Sequence, residues 1–208
     1  DVYHRLYDHF GPRNWWPASG PFEVVVGAIL TQAVAWRNVE MALANLKEDG
    51  MLDPFSLDRA SLDEVAQRIV PTRYYRQKAA RLKNLCRVLV AEYNGDVLAM
   101  LKGDTQEVRQ RLLALKGIGP ETADSILLYA GGHPIFVVDA YTRRIFHRLG
   151  FWKENISYAR MQDIFHQALP RDIAQYNEYH ALIDSLGNRY CKATNPRCTQ
   201  CPLASICR

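Results

Sequence analysis

Apolar residues recur at intervals of three and four along almost the whole chain, a spacing that limits it to packed helices. The pattern runs through "FEVVVGAILTQAVAW", "NVEMALANLKEDG", "LDEVAQRIV", "YYRQKAARLKNLCRVLVAEYNG" and "DTQEVRQRLLALKG". It resumes in "DAYTRRIFHRLG", "YARMQDIFHQAL" and "IAQYNEYHALIDSLGNRYC". Many of these stretches end at Gly or near Pro, where helices stop. Only "PIFVV" could be a strand, and its length and isolation favour a buried connecting segment. The expected fold class is all-α. With 208 residues, 48% of them hydrophobic, the chain can bury a sizeable core as one compact unit or two small ones.

A formal charge of +4 and a pI near 8.8 permit a nucleic-acid partner without requiring one. No apolar run reaches membrane-spanning length, and the start "DVYHRLYDHF" has no signal-peptide pattern. The first residue is not Met, so the numbering can begin inside a longer natural chain. The expectation is a cytoplasmic, soluble monomer with no membrane partner.

Four of the five cysteines, Cys191, Cys198, Cys201 and Cys207, crowd the C-terminal end. Such crowding differs from a disulfide framework spread over a secreted fold and suggests a metal or cluster knot. Thiolates are soft ligands, and four in one short loop suit iron–sulfur or zinc. Structural zinc sites commonly pair two CxxC or CxxH knuckles, and this spacing has one. Cys86 lies in a helical pattern and reads as a small buried apolar residue.

The stretch "GIGPETADSI" opens as a glycine hairpin and continues as a helix. Pro120 suits a first helical position, and the turn aims unpaired backbone N–H groups outward, a setting that favours phosphate. By itself GxG before a helix is an ordinary helix–turn–helix corner. Here it is followed by an Ala/Ser-containing helix, a short apolar run and Asp139 at a helix start. The combined pattern resembles the helix-hairpin-helix DNA glycosylases of the endonuclease III superfamily, over nearly the whole chain.

That resemblance implies two helical lobes with a DNA-binding cleft between them. One would join residues 1–20 to 134–208, with a [4Fe-4S] loop at 191–207. The other would be a six-helix lobe over 21–133, with its helix-hairpin-helix motif at about 112–130. Lys116, Gly117, Ile118, Gly119 and Thr122 would form the DNA-contacting hairpin. Asp139 matches the superfamily's catalytic aspartate, and a carboxylate there can stabilise the sugar cation and orient or deprotonate water. The plainer role for such an Asp is an N-cap, and it can serve as both.

The position matching Glu121 carries a nucleophilic lysine in the bifunctional members, which form a Schiff base. The early-helix glutamate of the adenine-excising members matches Ala28. Both chemistries lack their key residue, which leaves a monofunctional, water-using glycosylase. A base that leaves without an acid must already be electron-poor, as an alkylated purine is. "NWWPASGPFE", "LTQAVAWRNVE", Glu121 and "YYRQKAARL" resemble the type III 3-methyladenine DNA glycosylases. Trp15 and Trp36 match the aromatic pair that sandwiches the flipped base, with Trp16 as the neighbouring wall. Tryptophans are also ordinary core residues. The cysteine tail departs from the type III group.

Cys191-x6-Cys198-x2-Cys201-x5-Cys207 matches the [4Fe-4S] signature of the endonuclease III branch. Lys192 and Arg197, inside it, could meet phosphates. A flipped base leaves a gap to fill. Gln32 and Tyr74 lie where the family presents its plug and wedge, with Arg73, Arg76 and Lys78 supplying charge for the backbone. Three functions stay open: an alkylpurine glycosylase, a monofunctional pyrimidine or mismatch glycosylase, and a non-catalytic DNA-damage binder. The expected partner in each is double-stranded DNA with a damaged base.

Overall fold

The computed structural model describes residues 1–207, and among them the regular structure is helical with no strand. The chain divides into two compact units, Ala18–His133 and Asp1–Pro17 with Pro134–Arg208.

In the first, Ala18–His133, the centre is the helix we label α2 (Pro21–Leu30). Every residue from Glu23 to Leu30 is buried. Apart from Glu23, which pairs with Lys47 at 2.6 Å, the helix is apolar on every face and has to lie inside its neighbours. Against it pack α3 (Trp36–Glu48) and α6 (Tyr75–Tyr93), and α4 (Pro54–Arg59) and α5 (Leu62–Arg68) pack in turn on α6. The unit closes with α7 (Val97–Met100), α8 (Thr105–Ala114) and α9 (Pro120–Ser125), which runs on into a π-helical turn over Ile126–Ala130. Short polar side chains fix four of these starts. Asp53, Asp96 and Asp104 accept backbone N–H groups of α4, α7 and α8, and Ser61 with Glu64 makes a reciprocal capping box on α5.

The second unit begins with α1 (Val2–Phe10), which packs on α12 (Ile173–Arg189). Between them in sequence lie α10 (Ala140–Arg148) and α11 (Tyr158–Ala168). "PIFVV" is irregular and buried, with Ile135, Phe136, Val137 and Val138 all at 2% exposure or less. Side chains of α11 stand in for a strand partner: Gln162 donates to Phe136 O at 2.7 Å, and His166 Nε2 accepts Phe136 N–H at 2.9 Å. Those bonds satisfy backbone groups that burial would otherwise strand. Phe136 and Phe165 stack at 3.9 Å within a core that includes Phe146, Trp152, Tyr176 and Tyr179. Gly187 sits where α12 meets α10. A Cβ there would come within 2.3 Å of the Tyr141 ring.

Candidate functional site

The glycine hairpin joins α8 to α9. Ile118 N–H closes the turn on Leu115 O at 3.0 Å, Gly119 is the N-cap and Pro120 the first helical residue. Gly117 has φ of 92°, a left-handed value that favours glycine. A side chain there would also strike Arg81, whose Cγ lies 2.5 Å from an ideal Cβ. Lys116, Gly117, Gly119 and Glu121 are exposed, while Ile118 and Thr122 point inward. Contact from Ile118 would therefore come through its backbone. Behind the turn, Arg109 grips Asp124 through two parallel bonds of 2.6 and 3.1 Å, and Asp124 is fully buried. This bidentate pair ties α8 to α9 and fixes the hairpin angle.

Gln32 follows α2 and is held to the same hairpin. Its Nε2 donates to Thr122 Oγ1 at 2.8 Å, and its Oε1 accepts from Arg81 Nη1. Tyr74, at the start of α6, is 62% exposed, so it is a projecting residue rather than a packed one. Arg73 beside it is exposed, and Arg76 is exposed and paired with Asp63 at 2.7 Å. Lys78 corrects the sequence expectation. It is 1% exposed, and its ammonium donates to Leu30 O at 2.8 Å and Thr72 O at 2.5 Å, tying the end of α2 to α6. Burial, with Arg81 and Arg73 nearby, pushes its amine down to about 8. It cannot reach a phosphate. Trp36 is half-buried at the first position of α3.

In the other unit, Asp139 is the N-cap of α10. Its Oδ1 accepts Thr142 N–H and Thr142 Oγ1–H, each at 2.7 Å, and its Oδ2 lies 3.7 Å from His180 Nε2. Burial works to raise this carboxyl, but His180 and the Thr142 donors outweigh it and hold the group below the ordinary carboxylate range. Trp15 and Trp16 are half-buried, their rings 5.3 Å apart and tilted by 47°. The irregular segment carrying them is tied down by Glu178, which accepts Arg13 N–H at 2.6 Å and Asn14 N–H at 3.4 Å.

The cysteine tail is anchored by α10. Arg144 Nε donates to Cys191 O at 2.9 Å, and Arg148 donates to Cys191 Sγ at 3.3 Å and to the carbonyls of Lys192 and Ala193. Lys192 and Arg197 are exposed. Burial raises the Cys201 thiol, and the charges of Cys191, Cys207 and Cys198 add to the effect, so the four sulfurs are electrostatic neighbours. Among the described residues, no three His, Cys, Asp or Glu side chains are placed to hold one metal ion. Four neighbouring thiols are a soft donor set of the kind an iron–sulfur cluster takes. Cys86 is fully buried and lies apart from this chemistry.

Sequence reasoning passed over His180, Asp184 and Arg81. A signal for the first two was present, since His180 and Asp184 stand one helical turn apart.

Residues 26–171 match the HhH-GPD superfamily of base excision DNA repair proteins. Residues 191–207 match the iron–sulfur binding domain of endonuclease III, so the protein carries a [4Fe-4S] cluster. The chain is 44% identical to the Methanocaldococcus jannaschii protein named "Putative DNA repair glycosylase MJ1434", over 99% of its own length and 94% of the relative's. An endonuclease III trapped as a covalent intermediate with DNA superposes with a TM-score of 0.85 at 26% identity, covering 99% of this chain and 92% of that one. The Helicobacter pylori 3-methyladenine DNA glycosylase MagIII, bound to 1,N6-ethenoadenine, gives 0.79 at 27% identity, covering 90% and 96%.

Proposed function

This chain belongs to the HhH-GPD superfamily of base excision DNA repair proteins, and we propose that within it the protein is a monofunctional glycosylase for alkylated purines of the 3-methyladenine type. That it is a DNA glycosylase follows from the family. The finer reading rests on one observation above all. The first turn after the hairpin exposes Glu121, where the resemblance to bifunctional relatives calls for a lysine. A carboxylate cannot form the Schiff base through which a strand is cut. Water is then the nucleophile, and it acts on a base that is already a good leaving group.

In this reading the backbone N–H groups of Lys116, Gly117 and Gly119 and the cations Lys192 and Arg197 hold phosphates on the damaged duplex. Tyr74, projecting beside Arg73, stacks on bases next to the gap, and Gln32 fills the space the flipped nucleotide leaves. Trp15 and Trp36 stack on the base, with Trp16 as a wall. An alkylpurine carries a positive charge, which aromatic faces and Glu121 favour. Asp139 faces the sugar, where positive charge develops as the glycosidic bond breaks. Cys191, Cys198, Cys201 and Cys207 are the cluster ligands, and the bound cluster orders the loop carrying Lys192 and Arg197. The protein works as a monomer on cytoplasmic, nucleoid DNA.

The test is a panel of duplexes carrying 3-methyladenine, 7-methylguanine, uracil, a thymine mismatch or an oxidised pyrimidine. Release of alkylpurines in preference to the rest is expected, and Trp36→Ala should depress it while leaving undamaged-DNA binding in place. Robust uracil release without alkylpurine release would replace this reading with a pyrimidine glycosylase. Full alkylpurine release by Trp36→Ala would end the sandwich.

A further inference from the structure

The two oxygens of Asp139 have unlike surroundings. Oδ1 is committed to capping, with two Thr142 donors at 2.7 Å. Oδ2 has His180 Nε2 at 3.7 Å, within ion-pair reach and beyond a hydrogen bond. His180, Asp184 and Asn188 form one stripe of α12, each four residues after the last. Asn188 donates to Asp184 Oδ2 at 2.9 Å and accepts from Tyr141 Oη at 2.7 Å. The circuit thus leaves α10 at its N-cap, follows α12 and returns to α10 at Tyr141.

Both carboxylates lie close enough to one imidazole to feel it, and each feels the other. Burial and the Asp139 charge raise Asp184 above its ordinary range although His180 opposes them. Asp139 stays below its own. Environments that push two neighbouring acids apart assign them different duties. Here Asp184 absorbs the mutual repulsion, and Asp139 remains the anion. The charged and titratable groups around this pair within the unit are His180 and Asp184 on α12, Tyr141 and Arg144 on α10, and Arg13, which acts on Asp184.

We propose that His180, with Asp184 behind it, is a positioning residue that keeps Asp139 ionised and leaves Oδ2 as the oxygen that meets the sugar. The inference deepens the proposed function and rests on its reading of Asp139. When protonated, His180 places a positive charge beside Oδ2 and offsets the burial of a carboxylate that must be charged whenever base release begins. Oδ1 already accepts two hydrogen bonds from Thr142, which leaves Oδ2 as the oxygen to meet the sugar or its water.

The experiment pairs carbon-13 NMR titration of the aspartate carboxyls, in the cluster-loaded protein, with single-turnover base release from methylated duplex DNA across pH. The proteins are wild type, Asp139→Asn and His180→Gln. In His180→Gln the Asp139 midpoint should rise by about one pH unit or more. The acid limb of base release should move up with it, with binding to an abasic-analogue duplex unchanged. Since coupling is reciprocal, Asp139→Asn should shift the His180 imidazole titration downward, a measurement that stands even if His180→Gln fails to fold. An unmoved Asp139 midpoint in a folded His180→Gln protein, or an unmoved imidazole in Asp139→Asn, overturns the inference. Undiminished base release by Asp139→Asn instead overturns the reading of Asp139 on which it rests.

Discussion

Thr142 donates both its backbone N–H and its hydroxyl to the same oxygen of Asp139, each at 2.7 Å. One carboxylate thereby starts a helix and, in the proposed reading, also serves the chemistry. Asp139→Asn keeps a good capping side chain, so the fold should survive it. Base release should fall by about 3 kcal/mol of barrier, on the order of a hundredfold or more, with abasic-analogue binding retained. Single-turnover rates beside binding isotherms check the split.

Thr142→Val should act through the proton. The hydroxyl favours the charged carboxylate, so its loss should raise the acid limb of the rate profile and cost about 1 kcal/mol of stability. The sign follows from Asp139, whose folded value lies below its unfolded one. Its contribution is present above the unfolded carboxyl range and disappears as pH falls through the folded value. Urea unfolding at several acid pH values, for wild type and Thr142→Val, measures the difference.

Lys78 gives the opposite pH signature. Its folded value of about 8 lies below the unfolded one. Between those two values the unfolded chain holds the extra proton, so wild-type stability should rise with pH across the window. The rise should not exceed about 3 kcal/mol. Lys78→Met should remove it, and its DNA affinity should keep the wild-type salt slope because Lys78 touches no phosphate. A flatter slope in the variant would contradict the buried assignment.

Asp124 and Arg109 brace the hairpin from behind. Asp124→Asn leaves a guanidinium with a weakened partner at a fully buried position. A loss of about 3 kcal/mol in unfolding free energy is expected, with weaker DNA binding because the hairpin angle relaxes. Calorimetry and binding to undamaged duplex report the two effects separately.

Arg148 should govern how firmly the cluster is kept. It bonds Cys191 Sγ and two carbonyls of the following turn, so Arg148→Met removes three ties from the cluster-binding segment. Faster bleaching of the visible absorbance under chelator is expected, with iron lost in parallel. Outer contacts of this kind commonly change metal affinity by about 10- to 100-fold.

What the sequence made legible was local. The hairpin, the capping Asp139, the tail cysteines and the buried "PIFVV" are each read from a few consecutive residues whose chemistry allows little else. The His180–Asp139 approach joins residues 41 positions apart, and only the packing of α10 on α12 creates it. Arg81 reaching Gln32 is hidden for the same reason. Lys78 was misread because a basic run looks like a surface. Yet it lies on the stripe Lys78, Leu82, Leu85, Leu89, whose spacing assigns it to the apolar face of α6. Tyr74 is exposed as a wedge residue would be, but that exposure depends on a left-handed turn that no propensity announces.

The absence of a lysine at Glu121 is the centre of this account, and borohydride trapping tests it most directly. Wild-type protein is incubated with methylated duplex DNA in the presence of borohydride, and parallel samples are resolved with and without alkali. Free alkylpurine should appear, strands should stay whole until alkali or heat breaks them at abasic sites, and no protein–DNA adduct should form. A strong trapped band with strand scission before alkali would contradict the account and make another amine, with Lys116 the first to replace, the nucleophile.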